Sequence, residues 1–300
     1  MTIEAEAPFI EPRSLDELWF QVAGTLCNLA CGHCFISCHP GNDSFGFLRL
    51  ETVLELLEES RGLGVKEYYF TGGEPFLNPE IVSIIEAALR HGPATVLTNA
   101  TLLREEVVLD LERIAEDSRY SLEVRVSIDG YSKAMNDPLR GKGSFDATIR
   151  GLCLLLAHGF LPIITAVATW SDEESPQVFE RFADMLRGIG YTRPRIKFLP
   201  TLRIGKEAAR SRGYLPSERV TREMMEGYDA GQLLCSHSRM VTDRGVAVCP
   251  ILIEEPGAHL GTSLAEAWRP FPLSHAACTT CYAHGAICSN SASTSPAADR

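Results

Sequence analysis

The chain has 300 residues, with 28 Lys plus Arg against 39 Asp plus Glu, a formal charge of −11. That length suffices for one large or two modest domains with a well-buried core, and the acidic balance argues against nucleic acid or an anionic membrane as partner. No apolar run approaches the roughly 20 residues that span a bilayer, and "MTIEAEAPFIEPRS" lacks the basic start and apolar core of a signal peptide, so a cytoplasmic location is expected.

Residues 1–16 read as an N-terminal extension. From 17 to 205 short apolar runs alternate with longer helical patterns. Strands are predicted over 17–24, 67–70, 95–99, 122–128, 162–169 and 195–199. Helices are predicted over 49–64, 78–92, 104–117, 144–159 and 175–190, and four of the five close on a Gly, as helix C-termini often do. Six strands joined by helical crossovers imply a parallel sheet. The fold expected is α/β, a partial (β/α)6 TIM-like barrel. Cys153, in the helical "GLCLLLAHG", reads as a core thiol.

After residue 205 the pattern changes. Residues 206–289 are turn-rich, with a β-hairpin predicted in "MVTDRGVAVCPIL" that turns at Asp243, Arg244 and Gly245. This stretch reads as a small C-terminal domain too poor in apolar residues to fold without a metal centre. Residues 290–300 read as a disordered tail.

Four cysteines lie between 27 and 38, five between 235 and 288, and Cys153 stands alone. In a reducing compartment such clusters serve as metal ligands or redox groups rather than disulfides. Cys27, Cys31 and Cys34 follow C-x3-C-x2-C in "CNLACGHC", just after the first strand. Zinc and structural iron–sulfur sites usually take four protein ligands. Three thiols either leave one coordination position open or recruit Cys38 or His39 to a zinc ion.

The pattern C-x3-C-x-aromatic-C after the first strand of a partial barrel resembles the radical S-adenosylmethionine (SAM) superfamily. The resemblance implies a [4Fe–4S] cluster on Cys27, Cys31 and Cys34 whose open iron chelates SAM. His33 then holds the position usually taken by an aromatic near the adenine, and Cys38 is a bystander. "FTGGEP" ends the second strand, where two glycines let the backbone approach a ligand and Glu74 can accept from an ammonium group. The resemblance makes Gly72, Gly73, Glu74 and Pro75 the site of the SAM amine. "VSIDG" ends the fourth strand, with Ser127 and Asp129 on one face by period-two alternation. The resemblance gives that pair the ribose or carboxylate, and gives Arg140, in "DPLRGKGSFD", the SAM carboxylate. All these motifs fall at strand C-terminal ends, where barrels place their chemistry.

Cys235, Cys249, Cys278, Cys281 and Cys288 resemble the auxiliary-cluster domains of the superfamily, SPASM and the shorter twitch. Five thiols hold one four-ligand [4Fe–4S] cluster with one to spare, and C-x2-C fits zinc as well. Twitch domains usually ligate through the hairpin cysteine and the C-x2-C pair, which makes Cys288 the extra. The hairpin here reads Gly-x3-Cys where the usual one reads Gly-x4-Cys, and a one-residue shift turns Cys249 to the opposite face of its strand. Cys235, Cys278, Cys281 and Cys288 are then the auxiliary ligands, and Cys249 is a hydrogen-atom donor near the barrel mouth. A shift taken up in the turn instead leaves Cys249 a ligand.

In this superfamily SAM cleavage yields a 5′-deoxyadenosyl radical that takes hydrogen from an unactivated C–H bond. An auxiliary cluster that accepts the substrate electron makes the outcome dehydrogenation; a thiol that returns hydrogen from the other face makes it epimerisation. Only about 16 residues precede the first strand, so a domain that recognises leader peptides is not expected. Small size, one auxiliary cluster, a spare thiol and an acidic balance resemble the enzymes of aminoglycoside antibiotic biosynthesis. The expectation is an epimerase with two [4Fe–4S] clusters, SAM as cosubstrate, a cationic aminoglycoside as substrate and an electron donor such as flavodoxin or ferredoxin. An aminoglycoside dehydrogenase and a peptide-modifying enzyme are the alternatives. Glu254 and Glu255 are candidates to hold substrate ammonium groups.

Overall fold

The computed structural model describes residues 7–290. Strand β1 (Phe9–Ile10) is followed by β2 (Glu17–Gln21), buried at all five positions as a strand covered on both faces must be. Five more strands follow with helices between them: α1 (Leu50–Ser60), β3 (Glu67–Thr71), α2 (Ile81–Ala88), β4 (Ala94–Thr98), α3 (Glu105–Glu116), β5 (Leu122–Ser127), α4 (Lys133–Arg140), α5 (Ser144–Ala157), β6 (Ile163–Val167), α6 (Ser175–Gly188) and β7 (Arg195–Leu199). The six strands from β2 to β7 lie side by side in chain order, every neighbour parallel.

Strand alternation separates two environments. Leu18, Phe20, Tyr68, Phe70, Val96, Val124, Val126 and Ile164 join the main core with inward helix residues such as Val53, Leu57, Ile84, Leu111 and Phe182. The opposite parity carries Glu17, Trp19, Glu67, Tyr69, Thr95, Arg125, Thr165 and Lys197, so the concave side of the sheet is polar and aromatic. On α5, Leu152 and Leu155 take the inward positions. Cys153 falls on the outer face and is exposed, contrary to the core assignment.

The division at residue 205 does not separate two sheets. After α7 (Gly205–Arg210), strand β8 (Ser238–Thr242) pairs in parallel with β2, and β9 (Gly245–Ala247) and β10 (His259–Gly261) extend that edge antiparallel, giving nine strands in one sheet. The reason is the free edge of β2, whose backbone groups need partners that local sequence does not name. The remaining elements are α8 (Leu264–Ala267), β11 (Phe271–Pro272) and α9 (Cys278–His284). The N-terminal extension is tied in as well: β1 pairs with β11, and Arg13 meets Asp229 at 2.9 Å. Of the predicted tail, Asn290 is described and anchored, while 291–300 lie outside the described residues. No helix among the described residues is long and apolar enough to cross a membrane.

Candidate active site

The loop leaving β2 is braced by the end of β3. Gly73 N–H donates to Gly24 O and Glu74 N–H to Leu26 O, both at 3.0 Å. A Cβ on Gly73 would stand 1.9 Å from the Leu26 carbonyl oxygen, so only glycine allows the strand end this close to the cysteine loop. Gly72 takes φ +130, again a glycine conformation. The loop lines a cavity of about 230 Å³ with Cys27, Cys31, Cys34, Cys38 and His33, and Gly72 and Gly73 form part of the same wall.

Among the described residues no three His, Cys, Asp or Glu side chains converge closely enough to hold one metal ion. The thiols stand around a space, which suits a multi-iron group better than a lone zinc. Burial pushes the Cys27 thiol up to about 12, whereas the hydrogen bond from Cys38 holds Cys34 down near 6.

Three residues assigned to SAM stand behind the cavity wall rather than on it. Glu74 is wholly buried and ties β3 to β4, accepting from Thr98 Oγ1 at 2.6 Å and Asn99 N–H at 2.8 Å. Pro75 is buried at the start of a short 3-10 turn. Asp129 lies beyond the end of β5, out of line with Ser127, and accepts from His33 Nε2 at 2.9 Å, Arg140 Nε at 2.5 Å and Val167 N–H at 2.7 Å. Burial alone raises the Asp129 carboxyl, but Arg140 and His33 outweigh it and hold it well below the usual range. Arg140 is no loop residue: it sits in the last turn of α4, nine-tenths buried. Ser127, His33 and Arg140 do line the cavity.

Burial pushes Glu74 up to about 7, against the hydrogen bonds that lower it. Its folded value exceeds the unfolded 4.5, so its contribution to stability is complete below that pH and is lost as pH rises through 7. Relative to wild type, a Glu74→Gln variant is expected to gain on the order of 3 kcal/mol between those limits. Thermal melts across that range check it, and a constant difference at every pH refutes it.

The five downstream thiols fall on two sides of a partition. Cys235, Cys249, Cys278 and Cys281 line a small apolar cavity, while Cys288 lines the barrel cavity beside Ile287 and Pro250. This differs from the grouping of Cys235, Cys278, Cys281 and Cys288. The physical reason is the turn: Thr242 pairs with Gly245 across Asp243 and Arg244, so the missing residue is absorbed there. Cys249 nevertheless stands within electrostatic reach of each of the other four thiols. Glu254 and Glu255 are exposed beyond the cavity wall, with Glu255 at 3.3 Å from His275.

Several lining residues carried no sequence motif. Asn99 follows β4, and its amide reaches Asn28 at 2.9 Å; its place at a strand C-terminal end was the available signal. Glu207, bidentate with Arg210 at 2.7 and 2.9 Å, is the one carboxylate among the residues described as lining the cavity. Arg125 donates to Cys288 O and Lys197 Nζ to Ser289 O at 2.5 Å, while Asn290 binds Glu67 at 2.6 Å and Thr95 at 2.8 Å. Residues 288–290 thus occupy the lower barrel, toward a second cavity of about 590 Å³ at the strand N-terminal ends.

Residues 22–186, more than half of the chain, match the profile of the Radical SAM superfamily. The chain belongs to that superfamily. Membership brings a [4Fe–4S] cluster and SAM. The chain is similar to the mycofactocin maturase MftC of Mycobacterium tuberculosis, 32% identical over 142 residues, 47% of this chain and 34% of the maturase. It is also similar to the AdoMet-dependent heme synthase of Methanosarcina barkeri, 33% identical over 176 residues, 58% of this chain and 48% of the synthase. The matches thus span less than half the length of either relative. In fold, this radical SAM chain follows the structure of anSMEcpe with bound AdoMet, with a TM-score of 0.62 over 84% of this chain and 80% of that one at 19% identity.

Proposed function

We propose that this radical SAM enzyme is an epimerase of a cationic aminoglycoside that inverts C5‴ of neomycin C to give neomycin B. The observation that carries the reading is the count of thiols around the partition: five, one more than a cubane needs. The acidic balance of −11 favours capture of a polyamine. The cluster and SAM, when bound, supply a 5′-deoxyadenosyl radical that removes the substrate hydrogen.

What the chain contributes is binding, orientation and the returned hydrogen. Cys27, Cys31 and Cys34 hold the cluster. Gly72 and Gly73 present backbone to SAM, and His33 and Arg140, fixed by Asp129, complete its site with Ser127. Cys249, at the end of the hairpin whose next residue opens into the barrel cavity, donates its S–H hydrogen to the opposite face of the substrate radical. The S–H bond breaks as the C–H bond forms, and one electron from a flavodoxin- or ferredoxin-class donor with one proton from solvent regenerates the thiol. Cys235, Cys278, Cys281 and Cys288 hold a second [4Fe–4S] cluster. A second reading exchanges two roles: Cys288, the thiol that lines the barrel cavity, is the donor, and Cys249 completes the auxiliary set.

Turnover in D2O with a panel of aminoglycosides tests the class of reaction. Thiol donation is expected to place one deuterium in the product. A ketone free of solvent deuterium points to a dehydrogenase instead, and turnover of peptides alone rejects the aminoglycoside.

A further inference from the structure

Apart from its cysteines, the ionisable residues described as lining the barrel cavity are His33, Arg125, Arg140 and Glu207. Both arginines are already engaged as donors, Arg140 to Asp129 at 2.5 Å and Arg125 to Cys288 O. Glu207 alone of these carries a carboxylate, and it is 1% exposed. Its place follows from how α7 is seated on the cysteine loop. Lys206 N–H donates to Cys34 O at 3.0 Å, and a Cβ on Gly205, which takes φ +56, would stand 2.3 Å from Phe35 O. Glycine permits that approach, and the next turn of helix then brings Glu207 to the cavity wall beside the loop. Arg210, three residues on, holds the carboxylate with Nε to Oε2 at 2.7 Å and Nη2 to Oε1 at 2.9 Å. This fork fixes the plane of the carboxylate and compensates its burial, yet it takes one acceptor direction on each oxygen where a carboxylate offers about four in all.

We propose that Glu207 is a specificity-determining residue: with the acceptor directions that Arg210 leaves free, its carboxylate binds an ammonium group of the substrate. The inference rests on the reading of the substrate as a cationic aminoglycoside, and it names the contact that selects one. Glu207 follows directly on the residue bonded to Cys34 O, so the ammonium it binds belongs to the sugar ring that reacts rather than to the far end of the molecule. A buried site built to accept from a charged donor discriminates strongly against an analogue that lacks it, since the carboxylate is then left short of a partner. Glu254 and Glu255, exposed beyond the cavity wall, stand outside this contact.

The test is calorimetric titration of anaerobically reconstituted wild-type and Glu207→Gln proteins, with SAM present and reductant absent, so that binding is read without turnover. The titrants are neomycin C and an analogue whose reacting ring carries hydroxyls in place of its amino groups. Wild type is expected to bind the analogue at least tenfold more weakly than neomycin C, a comparison that needs no variant. Glu207→Gln, which keeps the size of the side chain and removes its charge, is expected to lose at least tenfold on neomycin C, to lose little further on the analogue, and to bind SAM as wild type does. Equal affinity of the two proteins for neomycin C, or an equal penalty for the analogue in both, overturns the inference and leaves the aminoglycoside reading standing. Loss of SAM affinity in Glu207→Gln overturns it as well, since that places Glu207 in the SAM site or in the frame of the fold. A wild-type protein that binds no aminoglycoside overturns the reading and the inference together.

Discussion

A Cys249→Ala protein is expected to cleave SAM and release 5′-deoxyadenosine while forming no epimer above background. The adenosyl radical needs only the cluster loop, the SAM site and the substrate, none of which involves that side chain. With Cys249 as the donor, the returned hydrogen is lost with its thiol. Iron content is the second reading of the same protein: about eight irons per chain must remain if the other four cysteines hold the auxiliary cluster. Cys288→Ala is expected to do the reverse, falling to about four irons. If instead Cys249→Ala loses half its iron while Cys288→Ala keeps all of it and makes no epimer, the donor is Cys288. The two-residue turn at Asp243 and Arg244, and the place of Cys288 in the barrel cavity, are the structural grounds for that outcome. If both variants still epimerise, neither thiol is the donor.

Asp129→Ala is expected to destabilise the chain by about 3–5 kcal/mol, the usual cost of removing one partner of a buried ion pair. Asp129 is fully buried, and Arg140, which donates to it at 2.5 Å, is itself only 8% exposed, so the guanidinium is left without its counter-charge and with little water to replace it. His33 loses its Nε2 partner at 2.9 Å, and Val167 N–H loses its acceptor at 2.7 Å. Because His33 and Arg140 line the cavity, SAM affinity is expected to fall with stability, by tenfold or more on the scale of one charge-assisted hydrogen bond at about 1.5–3 kcal/mol. Asp129→Asn, which keeps an oxygen for Val167 N–H, is expected to fall between the two. Denaturant titration and equilibrium binding of SAM measure the pair of effects, and an alanine variant within about 1 kcal/mol of wild type removes the argument.

The central α/β body was legible because it is built from local, repeated signals. Each predicted strand from 17 to 199 corresponds to an observed one within a few residues, since apolar runs between helical patterns report burial on both faces. That Cys27, Cys31, Cys34, Gly72 and Gly73 would lie together was legible for the same reason: the cysteines fall within one loop and the glycines at one strand end, and both line the cavity. What failed involved direction or distance. Period-two counting put Ser127 and Asp129 on one face, but β5 ends at Ser127, and past a strand end the alternation no longer holds. Glu74 was assigned to a ligand, yet its carboxylate is consumed by the backbone and hydroxyl of the next strand.

By itself, the sequence determined the barrel elements, their order and the close spacing of three cysteines in the loop after the first of them, because each depends on neighbours within about one supersecondary unit. Only the tertiary structure decided which thiols meet. Pairing of β8 with β2 joins residues more than two hundred positions apart, and the insertion of 288–290 among Arg125, Lys197 and Glu67 puts Cys288 inside the barrel. Such contacts depend on strand edges and buried polar groups finding partners across the whole fold, and short-range periodicity carries no record of them.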